Sequence, residues 1–395
     1  MPIYFTSLED PTTTDNVLAF LEPYIPYALG PIGTIVNSRP ELVKTIKVYT
    51  SFEVDFSKPF QFQPLPTPAS STGAEPGSKP SPPPVLFSII ALQPREQARF
   101  FCSADLKTPE PATPEEEAHV QEFFRAVIPI VADLPPDNED GPTPEYDLDP
   151  IGLRGRGYHL SRVNEKWAPC LSPITTQLFG PLVCLIRPPP PPQEASLPNG
   201  PPTAIEAPDR RKSDRWIISR FRPSDIDIIK STSLIPRHKT YLESRVHASI
   251  SIYDSHITET SKSNLVAWSL IQADGSFGVL WVESSHRGLG LGDLALNECL
   301  NRSGTYHGFS GNQATGAGII GWQWADVSPM NPSSIRFFSK QEGWRIGWGT
   351  WWLTLDPDID LTTVDWSFRQ VRAEESKMRG WGKNPKFLLT TDDES

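Results

Sequence analysis

The sequence predicts a mixed α/β (α+β) fold, arranged in two halves on either side of a proline-rich linker. The chain has 395 residues, which is enough for two or three ordinary domains. Aromatic residues make up 10% of it, too many for a disordered protein. Strand-like and helix-like apolar patterns alternate along both halves. These observations favour packed domains that contain both helices and sheet.

The N-terminal half, taken as a domain over residues 1–186, supplies its elements mainly as short apolar runs. The best marked is a helix with Thr113 as its N-cap, Pro114 at the first helical position and an apolar stripe that ends at Pro129. The other predicted elements are a helix over Asn16–Tyr24, a strand at the end of Leu42–Phe52, a hairpin of Val85–Leu92 with Gln97–Ser103, and a strand over Gly180–Ile186.

The C-terminal half, taken as a domain over residues 213–355, carries the clearest hairpin. Asp274-Gly275 separates the apolar runs Leu265–Gln272 and Phe277–Glu283, and an Asp-Gly pair in that position is a strong hairpin signal. The tryptophans of the Trp344–Leu355 run are expected to be core residues. The other predicted elements are strands over Trp216–Phe221, Ile250–Tyr253 and Ile319–Val327, and helices over Pro223–Ser231, His238–Ser249, Leu291–Leu300 and Pro332–Gln341.

Three proline-rich segments separate or interrupt these elements, at residues 57–84, 135–150 and 187–212. Such sequence favours extended, hydrated backbone that buries little surface. We interpret the first two as loop insertions and the third as the linker between domains. A proline run can also dock into an aromatic groove of another protein, so partners that bind the proline-rich segments remain an alternative.

Charge and cysteine content exclude several functions. The formal charge is −11, from 36 Lys+Arg against 47 Asp+Glu, which argues against a nucleic-acid partner. No signal peptide and no apolar stretch of membrane-spanning length is found, so a soluble, cytoplasmic protein without membrane contact is expected. Four widely spaced cysteines indicate neither a disulfide framework nor a metal site. They are Cys102, Cys170, Cys184 and Cys299.

The chemistry is expected in the glycine-rich loop that runs from Arg287 to Gly292, between a strand and a helix. Glycines allow close backbone approach to an anion, and a helix start offers unpaired N–H groups. A dinucleotide-binding fold needs G-x-G-x-x-G with an acidic residue further on, and a P-loop needs Gly-Lys-Ser/Thr. Neither pattern is present. The loop is therefore predicted to hold a pyrophosphate in another way.

The segment resembles the Q/R-x-x-G-x-G/A motif of the GNAT superfamily of acyl-CoA N-acyltransferases, through Arg287, Gly290 and Gly292. The hairpin before the loop, Asn331 after the next strand and Gly343-Trp344 after the following helix are similar to that superfamily as well. The closest resemblance is to the glycine N-acyltransferase branch. It implies a GNAT-like mixed sheet flanked by helices and a degenerate N-terminal copy of the fold. Residues 356–395 lie outside the resemblance and are taken as a C-terminal extension.

The resemblance also implies an activity and a site. Acetyl-CoA or another acyl-CoA would be the co-substrate, a small amine or amino acid would be the acceptor, and no metal would be needed. The backbone of the strand would align the thioester, the loop amides would hold the pyrophosphate, and the residue after the next strand would contact the pantetheine arm. The residues in these roles are Leu280, Val282, Arg287, Gly288, Leu289, Gly290, Leu291, Gly292 and Asn331.

The catalytic groups depart from the family. Ser276 stands where the branch carries a glutamate base, and Phe338 stands where many members carry a tyrosine acid. Glu283, at the end of the strand, is the substitute base we favour over His286, while Ser276 is kept as a residue that could relay a proton through water. Two alternatives stay open: a catalytically impaired CoA-binding or protein-interaction module, and a purely structural protein.

Overall fold

The computed structural model describes residues 1–37, 43–58, 86–93, 97–132, 158–189, 210–211, 214–232, 239–257, 263–303, 322–356 and 358–367. These residues form two compact units. Unit 1 contains the described residues of Met1–Pro135, Gly157–Leu178 and Trp351–Arg372, and unit 2 contains those of Phe179–Thr350. Most of the three proline-rich segments lies outside the described residues.

Unit 1 is built on a mixed sheet. Across the sheet its strands are β1 (Tyr4–Ser7), β2 (Lys47–Thr50), β3 (Ser88–Gln93), β4 (Gln97–Cys102), β5 (Tyr158–Asn164) and the end of β13 (Arg345–Leu355). Strands β1 to β4 pair antiparallel, whereas β4 and β5 are parallel. Its helices are α1 (Pro11–Leu21), α2 (Leu29–Asn37), α3 (Pro114–Ala132) and α4 (Ala168–Leu171).

Helix α1 starts well before the predicted Asn16. Asp10 is its N-cap and accepts the Thr13 N–H over 3.0 Å, and Pro11 occupies the first helical position. Both features are helix-start signals that the apolar pattern alone does not contain. Helix α2 was not predicted, because Gly30, Pro31 and Gly33 oppose helix formation in isolation. All three residues are buried in unit 1, so tertiary packing overrides their propensity.

Helix α3 confirms the predicted N-terminus. Thr113 Oγ1 accepts the Glu116 N–H over 3.2 Å, while the Glu116 side chain accepts the Thr113 N–H over 2.9 Å. This capping box satisfies two N–H groups that a helix start leaves unpaired. The expectation that Pro129 ends the pattern is wrong, since the helix continues to Ala132. Pro129 cannot donate an intrahelical bond, and the helix ends one turn beyond it.

Unit 2 contains two sheets. The five-stranded sheet has the order β11 (Phe277–Val282), β10 (Leu265–Ile271), β9 (Ser249–Asp254), β8 (Trp216–Ser219) and β7 (Arg210–Arg211), all antiparallel. The other sheet has the order β13, β6 (Thr175–Arg187) and β12 (Gln323–Val327). The helices are α5 (Ile226–Thr232), α6 (Lys239–Ser244), α7 (Leu291–Ser303) and α8 (Pro332–Ser339).

Helices cover both faces of the five-stranded sheet. Leu291, Ala295 and Leu296 of α7 pack with β9 and β10 on one face. Helices α5 and α6 pack on the other face, in a cluster that includes Tyr253 and Trp268. The prediction of a mixed α/β fold with a sheet flanked by helices is confirmed.

The boundary at the proline linker differs from the observed units. The predicted domain over 1–186 assigns all of residues 180–186 to the N-terminal half, yet β6 beyond Leu178 belongs to unit 2 and pairs there with β12. Conversely, β13 beyond Thr350 belongs to unit 1. A linker can be recognised from local composition, whereas the exchange of strand segments depends on pairing between residues far apart in the chain.

Several element bounds also differ. The predicted helix over His238–Ser249 is the short α6 followed by a 3-10 turn at Val246–Ala248, and β9 already begins at Ser249. Strand β12 begins at Gln323, and residues 319–321 of the predicted strand lie outside the described residues. The predicted role of the tryptophans as core residues is confirmed for Trp344, Trp348 and Trp351, which are buried, whereas Trp352 is half-buried.

Candidate functional site

The β10–β11 hairpin closes at the predicted Asp274-Gly275 turn. Gly275 has a φ of +84°, a conformation that favours glycine. Ser276 Oγ donates to Asp274 Oδ1 over 2.7 Å, and its backbone N–H donates to the same oxygen over 3.0 Å. Ser276 is buried at the end of β11 that lies away from the glycine loop. Its hydroxyl proton is engaged in holding the turn.

A β-bulge interrupts β11 midway between the turn and the loop. Trp268 of β10 pairs with Trp281, but Leu270 pairs with Gly278, so two residues of β11 lie opposite one residue of β10. The first of the two, Val279, has a φ of +56°. A β-branched residue in that conformation is a backbone outlier, and such strain concentrates at functional sites. The bulge therefore marks Val279 and Leu280 as candidate functional backbone.

The side chains of β11 alternate between the two faces of the sheet. Leu280 and Val282 pack against the cluster that contains α7, whereas Val279 and Trp281 pack against the cluster beneath α5 and α6. Strand β11 also contacts β12, although the two strands belong to different sheets. The backbone edge of β11 that faces β12 is consequently not used in a ladder between these two fully described strands.

The loop after β11 is open around its glycines. Gly288 and Gly290 have φ values of +82° and +75°, and a Cβ atom built on either would meet nothing within 4 Å. Helix α7 begins directly afterwards at Leu291. The preceding residue, Gly290, has no side chain that could cap the helix. The N–H groups of the first turn thus face an open loop, which is the arrangement that binds anions at helix N-termini.

The remaining loop residues divide between packing and exposure. Arg287 is exposed; its Nε donates to the Val282 carbonyl over 3.2 Å, and its guanidinium lies 5.6 Å from the Trp281 ring centroid. Leu289 is half exposed, whereas Leu291 is buried in the core. A Cβ on Gly292 would approach the Phe337 ring at 3.1 Å, so a glycine there lets α7 pack closely on α8. Arg287 is left as the cation beside the loop.

The predicted Asn331 caps α8. Its Oδ1 accepts the Ser334 N–H over 3.1 Å, and the residue is half-buried. Phe338 is buried in the core, with its ring centroid 4.6 Å from that of Trp344. Phe338 therefore points into packed apolar side chains.

Glu283 lies where β11 meets the loop. The carboxylate is half-buried, and its Oε1 accepts the Trp281 indole N–H over 3.3 Å. Since Trp281 packs on the face of α5 and α6, this bond places Glu283 beside that face. Asp326 lies on β12 opposite Cys184 in the ladder.

Sequence reasoning missed an ionic chain beneath the loop. Arg215 donates to Asp254 Oδ2 through Nε over 3.0 Å and Nη2 over 2.8 Å, and His286 Nε2 lies 3.2 Å from the same oxygen. Burial alone would raise the pKa of Asp254, but hydrogen bonds from Arg215, the His256 N–H and His286 lower it to about 2. Arg215, Asp254 and His286 are far apart in the sequence, so no local sequence pattern links them.

Two kinds of site receive no support from the described residues. Within the described ranges, no group of three or more His, Cys, Asp or Glu side chains is arranged to hold a metal ion. No helix in that same part of the chain is long and apolar enough to cross a membrane.

No protein-family model and no curated protein sequence matches the chain. Among solved structures, a Drosophila protein from a structural genomics consortium is similar at 14% identity and a TM-score of 0.49, over 90% of this chain and 99% of that one. A GNAT-family acetyltransferase from Colwellia psychrerythraea is similar at 10% identity and a TM-score of 0.31, over 68% of this chain and 81% of that one. A GCN5-related N-acetyltransferase from Sphaerobacter thermophilus is similar at 12% identity and a TM-score of 0.33, over 71% of this chain and 80% of that one. Similarity at this level assigns neither a family nor a function.

Proposed function

We propose that unit 2 is a GNAT-type N-acyltransferase that uses acetyl-CoA or another acyl-CoA. One observation carries the proposal: β11 is broken by a bulge at Val279 and then leads directly into an open glycine loop at the uncapped N-terminus of α7. A thioester and a pyrophosphate lie at opposite ends of one extended pantetheine chain. The bulge and the loop would serve these two ends.

The loop would bind the pyrophosphate. Backbone N–H groups of residues 288–292 would contact the pyrophosphate, and the positive end of the α7 dipole favours an anion there. Leu289 and Leu291 would contribute through their amides alone. Arg287 would add a charge-assisted contact through the guanidinium nitrogens that do not bond Val282.

The backbone of Leu280 to Val282 would hold the pantetheine arm and the acyl group. Pantetheine carries amide groups, which can pair with a strand edge as an added strand does. An N–H group freed by the bulge could donate to the thioester oxygen and stabilise the negative charge that develops during attack. Asn331, at the start of α8, would lie beside the arm.

The reaction needs few protein groups. The amine nitrogen forms a bond to the thioester carbon, the carbon–sulfur bond breaks, the amine loses a proton and the thiolate gains one. We propose Glu283 as the group that accepts the amine proton, directly or through a water molecule, because its carboxylate lies where β11 meets the loop. The acceptor we propose is a small amine or amino acid, as in the glycine N-acyltransferase branch that the sequence resembles.

A second candidate function is a CoA-binding or protein-interaction module without turnover. Two observations favour it: the Ser276 proton is engaged by Asp274, and Phe338 offers no proton. Its proline-rich segments would recruit partners, and the chain would be cytoplasmic in either case. Turnover of acetyl-CoA with a panel of amines and amino acids separates this candidate from the first, because a module binds CoA and leaves acetyl-CoA intact.

Thermal unfolding with and without acetyl-CoA tests the proposed site. At about 100 times its dissociation constant, a ligand should stabilise the protein by roughly 2.7 kcal/mol, which for a unit of this size raises the midpoint by about 5–10 °C. In Gly290→Glu the shift should vanish, because a carboxylate would face the pyrophosphate. The matched control is Gly343→Glu, which changes a glycine of similar φ (+77°) outside the loop. An equal shift in both variants would refute the site.

A further inference from the structure

We propose that His286 is a positioning residue that fixes the CoA loop to the sheet through Asp254 and Arg215. This inference rests on the proposed function of the loop. His286 is the buried residue of a loop whose other members, from Ser284 to Gly290, are all exposed. It directly precedes Arg287, so its place determines where the exposed part of the loop begins.

Three separate segments converge on the anchor. Arg215 precedes β8, Asp254 ends β9, and His286 ends the 3-10 turn Ser284–His286 after β11. Side-chain exposure falls towards the centre, from 41% for Arg215 to 11% for His286 and 2% for Asp254. Arg215 is a permanent cation that holds the carboxylate in place, because two of its nitrogens bond one oxygen.

The hydrogen bonds define which histidine nitrogen carries the proton. With its pKa lowered to about 2, Asp254 is ionised near neutral pH and can only accept. His286 Nε2 therefore carries a proton and donates to Asp254 Oδ2. In the neutral ring, Nδ1 is then the acceptor for Ser285 Oγ, 2.9 Å away. Both ring nitrogens are engaged, which fixes the orientation of the ring.

Packing restrains the same ring. Trp216 meets His286 edge to face, with ring centroids 6.1 Å apart, while the Arg215 guanidinium lies 4.4 Å from the Trp216 ring centroid. The backbone adds one more tie, since the His286 N–H donates to the Glu283 carbonyl over 2.8 Å. The anchor is thus rigid on the sheet side, whereas Gly288 and Gly290 have open space around them.

The consequence is preorganisation of the anion site. A loop with two glycines at positive φ has many accessible conformations, and ordering them on binding lowers affinity. An anchor next to Arg287 restricts the loop before CoA arrives. Loss of the anchor should therefore weaken CoA binding, even in protein that remains folded.

The test measures CoA affinity by calorimetry at 25 °C in the full chain. His286→Ala and Asp254→Ala should each raise the CoA dissociation constant roughly tenfold. The double variant should bind CoA no more weakly than the weaker single variant, because both substitutions remove the same bond between His286 and Asp254. His286→Gln should restore most of the affinity, because its amide nitrogen can still donate to Asp254. Pantetheine, which lacks the pyrophosphate, should bind all four variants and the wild type alike.

Thermal midpoints without ligand separate this role from a general loss of stability. If His286→Ala lowers the midpoint while its CoA dissociation constant equals that of the wild type, the positioning role is overturned and the proposed function stands. Additive effects in the double variant, or no recovery in His286→Gln, would overturn the role as well. If the wild type itself does not bind CoA, the proposed function fails together with this inference.

Discussion

The two units share one order of elements but differ at the start of the helix that follows the hairpin. Each has an antiparallel hairpin, then a 3-10 turn, a helix and a further strand. In unit 1 the helix start is closed by the Thr113–Glu116 capping box, whereas in unit 2 the start of α7 follows Gly290 and is open. The capping box uses two backbone N–H groups at the start of α3, whereas Gly290 has no side chain with which to do the same for α7.

Two further differences agree with this one. The β3–β4 hairpin of unit 1 stays in register from Ser88↔Cys102 to Gln93↔Gln97, while the β10–β11 hairpin of unit 2 contains the bulge. Strand β4 also pairs with β5, whereas β11 and β12 lie in different sheets. The edge of β4 is thus paired within unit 1, whereas β11 and β12 form no ladder with each other in unit 2. Similar topology therefore does not imply a similar site.

The largest expected effect concerns catalysis in unit 2. Glu283→Gln keeps the size of the side chain and a carbonyl acceptor for Trp281, but it removes the base. The rate constant kcat should fall about 10²- to 10⁴-fold, the usual contribution of a general base, while the dissociation constant for CoA stays the same. Steady-state kinetics with acetyl-CoA, once an acceptor is found, checks this. An unchanged kcat would show that Glu283 is not the base.

The next effect concerns a buried carboxylate of unit 1. Burial raises the pKa of Asp105 to about 7, although hydrogen bonds from the Cys102 N–H and the Trp167 indole oppose the rise. Because the folded protein then holds a proton that the unfolded chain releases near pH 4, this contribution to stability is present at low pH. It is lost as pH rises towards 7 and above, by up to roughly 4 kcal/mol.

Urea unfolding at pH 5 and pH 8 measures this effect. The difference in unfolding free energy between the wild type and Asp105→Asn isolates it from histidines that titrate in the same range. The wild type should lose stability relative to Asp105→Asn on going from pH 5 to pH 8. A constant difference between the two proteins would contradict the assignment.

A smaller effect tests the closed helix start directly. Thr113→Ala removes the oxygen that accepts the Glu116 N–H, and it should lower the unfolding free energy by about 1 kcal/mol. CoA affinity should not change, because the capping box belongs to unit 1. Urea unfolding and calorimetry on the same sample check both statements. A change in CoA affinity would contradict the assignment of CoA binding to unit 2 alone.

The smallest effect concerns charge at the open start of α7. Asp293 lies in the first turn, and its Oδ1 accepts from Gln341 Nε2 over 2.7 Å. Its carboxylate would repel a pyrophosphate, so Asp293→Asn should tighten CoA binding about two- to threefold at low ionic strength, with less effect at high salt. Binding that weakens at low salt would place the anion elsewhere.

Local signals predicted much of unit 2. The Asp274-Gly275 turn, the glycine loop and the start of α7 at Leu291 all follow from sequence rules that involve neighbouring residues. The bulge at Val279 could not be predicted, because it arises from pairing with β10. The bond between Asp254 and His286 joins residues that are far apart in the sequence, so it could not be predicted without the fold. The division of β6 and β13 between the two units could not be predicted for the same reason. Ser276 was a candidate relay by position, and its bond to Asp274 became visible only in the structure.

The stoichiometry of CoA binding tests the central claim most directly. Isothermal titration calorimetry of the full chain with CoA should give one site per chain, with binding abolished in Gly290→Glu and retained in Gly343→Glu. One site follows because the open glycine loop before α7 lies in unit 2. Two sites per chain, or one site that survives Gly290→Glu, would contradict the account.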